Sequence, residues 1–179
     1  MGLGGLGKTA LAQLVYNDEM VKNHFELTMF ACVSDVFDVK VIVANIIKSI
    51  TNKATDPDQN LEMDQLQKQL RDKIDGKKYL LVLDDIWNED EQQWLSLKKL
   101  LMGGAKGSRI IVTTRSLRVA KIANRCDSHV LKLKGLSDDD AWSLFKKIAF
   151  EQRYADSTNS AFVEVGKQIL KRCGGIPLV

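Results

Sequence analysis

The sequence predicts an α/β fold, a parallel sheet with helices on both faces, followed by the start of a helical subdomain. Three observations carry that prediction. Strand-like and helix-like stretches alternate from residue 8 to residue 134, and repeated alternation of this kind builds a parallel sheet covered by helices. A glycine-rich turn at residues 2–7 leads straight into the first helical stretch. Beyond Gly135 the strand patterns cease and two amphipathic helical patterns remain, which divides the chain into 1–134 and 135–179.

The elements follow in order. Residues 8–20 read as a helix and 27–33 as a strand. Residues 39–50 are rich in Val and Ile, which favours a strand by propensity. Their length and the apolar set Val43, Ile46, Ile47 and Ile50 favour a buried helix instead. Residues 52–60, with Pro57, form a polar loop. Met63, Leu66, Leu70 and Ile74 share one helical face that stops at Gly76. Residues 79–83 are a short continuous apolar run, the pattern of a strand buried on both faces. A helix over 94–101, a strand over 109–112, a short helix over 117–123 and a last strand over 130–133 complete this part. After it, Ser137 with Asp140 reads as a capping box. Ala141, Leu144, Phe145 and Ile148 form one inward stripe, and Phe162, Val165, Ile169 and Cys173 the other.

Composition narrows the function classes. A chain of 179 residues, 45% hydrophobic and 27% charged, has a globular balance and is neither disordered nor fibrous. Its net charge of +3 is too small and too evenly spread to make nucleic acid or an anionic membrane the default partner. No apolar run reaches the length of a transmembrane segment. Cys32, Cys126 and Cys173 have no CxxC spacing, which fits a reducing compartment better than a disulfide scaffold or a zinc site. No secretory leader pattern is present, so the expected location is cytoplasmic. His24 and His129 share no metal spacing with carboxylates, and Cys126 with His129 reads as loop. Trp94, Trp142 and Trp87 read as packed aromatics, and residues 88–91 as a solvated acidic loop.

Gly2-Leu3-Gly4-Gly5-Leu6-Gly7-Lys8-Thr9 fits GxxxxGK[ST] throughout. Glycines let the backbone curl so that successive N–H groups face phosphate oxygens. The following helix offers unpaired N–H groups and a positive dipole end to the same anion. Lys8 would reach the β- and γ-phosphates, and the Thr9 hydroxyl would ligate Mg2+. A flexible glycine-rich terminus is the alternative, and Lys-Thr at this spacing argues against it. Asp84 and Asp85 follow the buried run at 79–83, where open α/β sheets bind ligands. Asp84 would hold the metal through its water shell and Asp85 would face the attacking water; two solvated aspartates in a turn are the alternative. Arg115 leaves the strand at 109–112, where a guanidinium can reach a terminal phosphate bidentately or simply lie on the surface.

These motifs, in this order, resemble the NB-ARC nucleotide-binding domain of plant disease-resistance proteins of the nucleotide-binding, leucine-rich-repeat type. The resemblance covers the whole chain. The glycine turn is similar to the family's P-loop, FELTMFACVSDVFDV at 25–39 to its next block, and LLVLDDIW at 80–87 to its Walker B block. GSRIIVTTR at 107–115 resembles the strand carrying the phosphate-sensing arginine. Residues 131–150 resemble the following block, and GGIPLV at 174–179 the GLPL-type motif. Trp87 after the aspartates resembles the class with an N-terminal coiled coil. The resemblance implies a P-loop NTPase fold and a switch that rests with ADP and is activated by exchange to ATP. It implies Gly2, Gly4, Gly5, Gly7, Lys8, Thr9 and Ala10 as nucleotide-binding positions, and Pro177 as the proline that packs on adenine. A first-turn helix proline is the other reading of Pro177. Coiled-coil and leucine-rich-repeat domains of the same protein are the implied partners.

The sequence departs from the family pattern at Ala10, where many members carry a second threonine. The strand that should feed the P-loop, lying between the strands 109–112 and 130–133, is missing, and the helical part is partial. The stretch therefore reads as a fragment from P-loop to GLPL motif, expected to be unstable or weak in nucleotide binding by itself. The function expected of the intact protein is an ADP/ATP switch in plant defence signalling with slow hydrolysis. Asp85 stands where brisk ATPases of related folds carry Glu, and a shorter carboxylate holds water less well. The rival is a constitutive P-loop ATPase or kinase whose turnover is the function.

Overall fold

Residues 79–84 carry six consecutive buried side chains, and that run sets the middle of the sheet. In the computed structural model, which describes residues 1–33, 36–51, 61–124, 129–150 and 160–177, the chain divides into two units. Met1 with Lys8–Leu131 forms the first, and Gly2–Gly7 with Lys132–Val179 the second. The predicted loop at 52–60, Cys126, and the last two residues of GGIPLV lie outside the described residues.

The first unit is a parallel three-stranded sheet in the order β1 (Leu27–Cys32), β2 (Tyr79–Asp84), β3 (Arg109–Val112). Leu27 pairs with Tyr79 and Cys32 with Asp84, while Leu80 pairs with Arg109 and Leu83 with Val112. Side chains alternate between the two faces of a strand. Met29, Ala31, Leu81 and Leu83 enter one core with α3 (Val39–Thr51), α4 (Met63–Ile74) and α5 (Glu91–Leu100). Phe30 takes the opposite face and meets Tyr16 of α1 (Lys8–Asn17) edge to face at 5.5 Å. Helices thus cover both faces of β2, and the Val/Ile-rich stretch is the helix α3, with Ile42, Val43, Ile46 and Ile47 buried.

The structure corrects four expectations about the elements and their packing. The helix expected over 8–20 is two helices, α1 and α2 (Glu19–His24), because Asp18 turns extended and accepts the Val21 N–H at 3.0 Å. A side chain that offers the backbone this bond starts a new helix. The acidic stretch 88–91 is a solvent-facing loop through Asp90, and the helix expected over 94–101 starts earlier. Asp90 caps α5 by accepting from Gln92 N at 2.8 Å and Gln93 N at 3.3 Å, which moves the helix start to Glu91. Residues 130–133 are not a strand, since among the described residues they find no ladder partner and the sheet ends at β3. α6 (Leu117–Ala123) lies where the sequence places it.

The fourth correction falls in the second unit, which holds α7 (Asp138–Phe150) and α8 (Ser160–Cys173). Ser137 accepts the Asp140 N–H at 3.2 Å, as the capping pattern requires. On α8, Phe162 and Val165 are exposed rather than turned inward, and Ile148 on α7 is exposed as well. Ile169, itself exposed, and Cys173 line an apolar cavity with α7 residues. The face that packs on α7 passes through Gly166, which is buried: a Cβ there would come within 2.8 Å of Phe145 and 2.9 Å of Trp142. Close approach at the glycine rotates the helix away from the face with the largest side chains. Among the described residues, no helix is long and apolar enough to cross a membrane.

The buried hydroxyl of Tyr79 donates to Leu101 O at 2.8 Å, and Leu81 is fully buried at the centre of β2. Tyr79→Phe is expected to lower stability by about 1 kcal/mol and Leu81→Ala by about 2–5 kcal/mol. Urea unfolding of the domain within its full-length protein reads the difference, and equal losses would contradict this packing.

Candidate phosphate and metal site

The glycine turn is built as its sequence requires. Gly5 and Gly7 take φ of 76° and 83°, the left-handed region that an L side chain avoids. Gly2 is buried, and a Cβ on it would meet Leu6 at 2.9 Å and Leu133 O at 3.3 Å, so its lack of a side chain serves packing. The turn runs directly into α1, whose first residues are Lys8, Thr9 and Ala10.

Within the first unit, the residues singled out in the sequence meet at the carboxyl ends of β2 and β3. Asp84 ends β2 and is 3% exposed. Thr9 Oγ1 donates to Asp84 Oδ2 at 2.8 Å, joining the start of α1 to the end of β2 across 75 positions of sequence. Thr113, just past β3, donates its hydroxyl to Asp84 Oδ1 at 2.5 Å and accepts the Asp85 N–H at 2.8 Å. A buried carboxylate needs such donors, since burying it without partners is strongly unfavourable. Backbone bonds from Thr113 N to Leu83 O (3.0 Å) and from Ile86 N to Thr113 O (2.9 Å) fix the two strand ends around this hydroxyl.

Asp85 has φ 58°, and among the described residues it is the non-glycine residue in the left-handed region. That conformation turns the chain off β2 and leaves its carboxylate 3.7 Å from Arg115 Nε. The Arg115 guanidinium also lies over the Trp87 ring, 4.6 Å from its centroid. Trp87 is 47% exposed, so the sequence reading of a packed aromatic is corrected: Ile86, 1% exposed, takes the core position and Trp87 faces outward to Arg115.

The charges of these groups act on one another. The Lys8 ammonium is held below its usual pKa, first by partial desolvation and then by the Arg115 charge, with Asp85 and Asp84 acting in the opposite sense. The Cys32 thiol, paired in register with Asp84, is pushed up by partial burial and by the charges of Asp84 and Asp85. Two cations that oppose one another beside two carboxylates make a place where an added anion and a hard cation are both stabilised. The hydroxyl and carboxylate of Thr9 and Asp84 are hard oxygen donors of the kind Mg2+ takes. Among the described residues, no group of three or more His, Cys, Asp or Glu side chains could hold a metal ion. A metal held by Thr9 and Asp84 alone would need oxygens from its ligand and from water.

In the second unit, Pro177 lines an apolar cavity of about 330 Å³ with Leu136, Ala141, Leu144 and Phe145 among its walls. In the first unit, the sequence reading gave Thr113 no role and turned Trp87 the wrong way. Thr113 gave a weak signal, a hydroxyl within an apolar strand end. The outward turn of Trp87 depends on the backbone of Asp85, and no periodicity reveals that.

Thr113→Val would leave a buried carboxylate oxygen and the Asp85 N–H without their partner. We expect it to lower stability by about 1–3 kcal/mol, while Thr113→Ser, which keeps the hydroxyl, stays near the parent. Thermal unfolding of both variants in the full-length protein checks this, and equal effects would remove Thr113 as the link between the acids.

The NB-ARC domain family matches residues 1–155. Disease resistance protein RGA2 of Solanum bulbocastanum is 42% identical over 178 residues, covering 99% of this chain and 18% of the relative. Disease resistance protein RPP13 of Arabidopsis thaliana is 36% identical over 181 residues, covering 99% of this chain and 21% of the relative. The chain therefore spans about a fifth of the length of these relatives. A chain from the structure of Drosophila ORC bound to DNA superposes with a TM-score of 0.52 at 14% identity, covering 94% of this chain and 45% of that one, a likeness of fold alone. With glycine turn, buried acid and strand-end arginine in the family's order and the match running through residue 155, the chain belongs to the NB-ARC domain family.

Proposed function

We propose that this domain is an ADP/ATP-binding molecular switch in plant defence signalling, with slow ATP hydrolysis. The observation that carries the reading is the hydrogen bond from Thr9 to the buried Asp84, with Lys8 in the field of both carboxylates. It joins the start of α1 to the acid that a nucleotide-bound Mg2+ would need. The residues fit the group: Thr9 and Asp84 would hold Mg2+, and Lys8 with the amides of Gly2, Gly4, Gly5, Gly7 and Ala10 would hold the phosphates. Pro177, in its apolar wall, is the proposed contact for the adenine ring. Bound Mg2+ would supply charge neutralisation on the phosphate oxygens.

Slow turnover follows from the second acid. Asp85 is short, and its partly exposed carboxylate lies 3.7 Å from Arg115 Nε. A carboxylate shorter than Glu holds an attacking water less well. Arg115 is the proposed reader of the terminal phosphate. The defence setting rests on the disease-resistance relatives, whose other domains would be the partners in the same chain.

In the full-length protein, purification should bring ADP with it. Lys8→Ala is expected to weaken ADP binding by about 10- to 100-fold, read by calorimetry, and unchanged affinity would contradict the site. A steady-state rate above about one per second would instead favour a constitutive ATPase or kinase.

A further inference from the structure

Trp87 is a residue whose position burial does not explain. It follows Ile86, which takes the core place, and it stands 47% exposed at the exit of β2. A large indole left half in water at a strand end has either no role or a role on its face. Its face is occupied: the Arg115 guanidinium carbon lies 4.6 Å from the ring centroid. Indole is the strongest of the aromatic partners for a guanidinium, and the attraction is greater where water is partly excluded.

The alternative anchor for Arg115 is weak. Asp85 Oδ1 stands 3.7 Å from Arg115 Nε, beyond hydrogen-bond distance, and both side chains are partly exposed, at 35% and 46%. An arginine held only by that contact would sample many rotamers, because its side chain is long and flexible. The indole removes this freedom in a particular way. A guanidinium held over a ring by its π-face keeps its N–H groups for oxygen acceptors, so the contact orients the group without consuming its donors. A carboxylate partner, by contrast, competes directly with any phosphate for those donors.

We propose that Trp87 is the positioning residue of Arg115: its indole face holds the guanidinium at the ends of β2 and β3 with its N–H groups available to a terminal phosphate. The proposal rests on the reading of Arg115 as the group that tells a nucleoside triphosphate from a diphosphate. Trp87 touches no phosphate in this scheme and acts through Arg115. An aromatic face, more than the bulk of the side chain, is the property required at position 87.

The test uses the full-length protein and four variants: Trp87→Leu, Trp87→Phe, Arg115→Ala and the double variant Trp87→Leu/Arg115→Ala. Affinities for ADP and for a non-hydrolysable ATP analogue are measured by calorimetry, retained ADP binding showing that each variant is folded. Trp87→Leu is expected to lower the ATP-to-ADP affinity ratio by about two- to fivefold, the size of a partly exposed cation–π contact. Trp87→Phe should keep most of the ratio, and Trp87→Leu should add nothing once Arg115 is Ala. A second readout needs no nucleotide: the acrylamide quenching of Trp87, taken as the difference between the parent and Trp87→Phe, should rise when Arg115 becomes Ala. If Arg115→Ala changes the ratio and Trp87→Leu does not, the positioning role is overturned while the sensor reading stands. An equal loss from Trp87→Leu in the Arg115→Ala background, or unchanged quenching, also overturns it. If Arg115→Ala itself leaves the ratio unchanged, the sensor reading fails and this proposal fails with it.

Discussion

A carboxylate buried at the end of the central strand is the constraint around which this domain is organised. Asp84 is 3% exposed, and its two oxygens are taken by the hydroxyls of Thr9 and Thr113. One donor comes from the helix that follows the glycine turn, the other from the end of β3. Neither can move far without stranding a charge in a low-dielectric place, which would be strongly unfavourable. The requirement that Asp84 be satisfied therefore locks three separate chain segments together. It also sets the location of everything else in the site, because Lys8 precedes Thr9, Asp85 follows Asp84 and Arg115 lies two residues past Thr113.

Much of this was legible in the sequence, for physical reasons. The continuous apolar run before Asp84 demanded a strand buried on both faces, and Tyr79–Asp84 is buried at every position. The glycine spacing with Lys8 and Thr9 specified a turn into a helix, and the positive φ of Gly5 and Gly7 is what that turn needs. What failed depended on information that periodicity does not carry. A strand exists only with a hydrogen-bonded neighbour, so the apolar pattern at 130–133 could not decide its own structure. Phe162, Val165 and Ile169 have the size and spacing of an inward stripe. The helix pairing is set instead by Gly166, where the backbone can approach Trp142 and Phe145. Asp18 and Asp90 acted through side-chain bonds to the backbone, a competition that is decided over single residues.

The second acid behaves differently from the first. Asp85 is in the left-handed region, a conformation that disfavours L residues by about 1–2 kcal/mol and that Asp tolerates better than most. Thr113 holds its N–H, and the turn there sends Ile86 into the core and Trp87 outward. The same local geometry thus separates the two carboxylates by role. One is buried and bound by hydroxyls; the other faces a guanidinium.

The most direct test of this account is the Mg2+ dependence of ADP binding in the full-length protein and in its Asp84→Asn variant, measured by calorimetry with and without the metal. The account predicts that Mg2+ tightens ADP binding in the parent and that this gain disappears in Asp84→Asn while metal-free ADP binding persists. An equal gain from Mg2+ in both proteins would contradict it, because the buried carboxylate would then not be the group on which the bound metal depends.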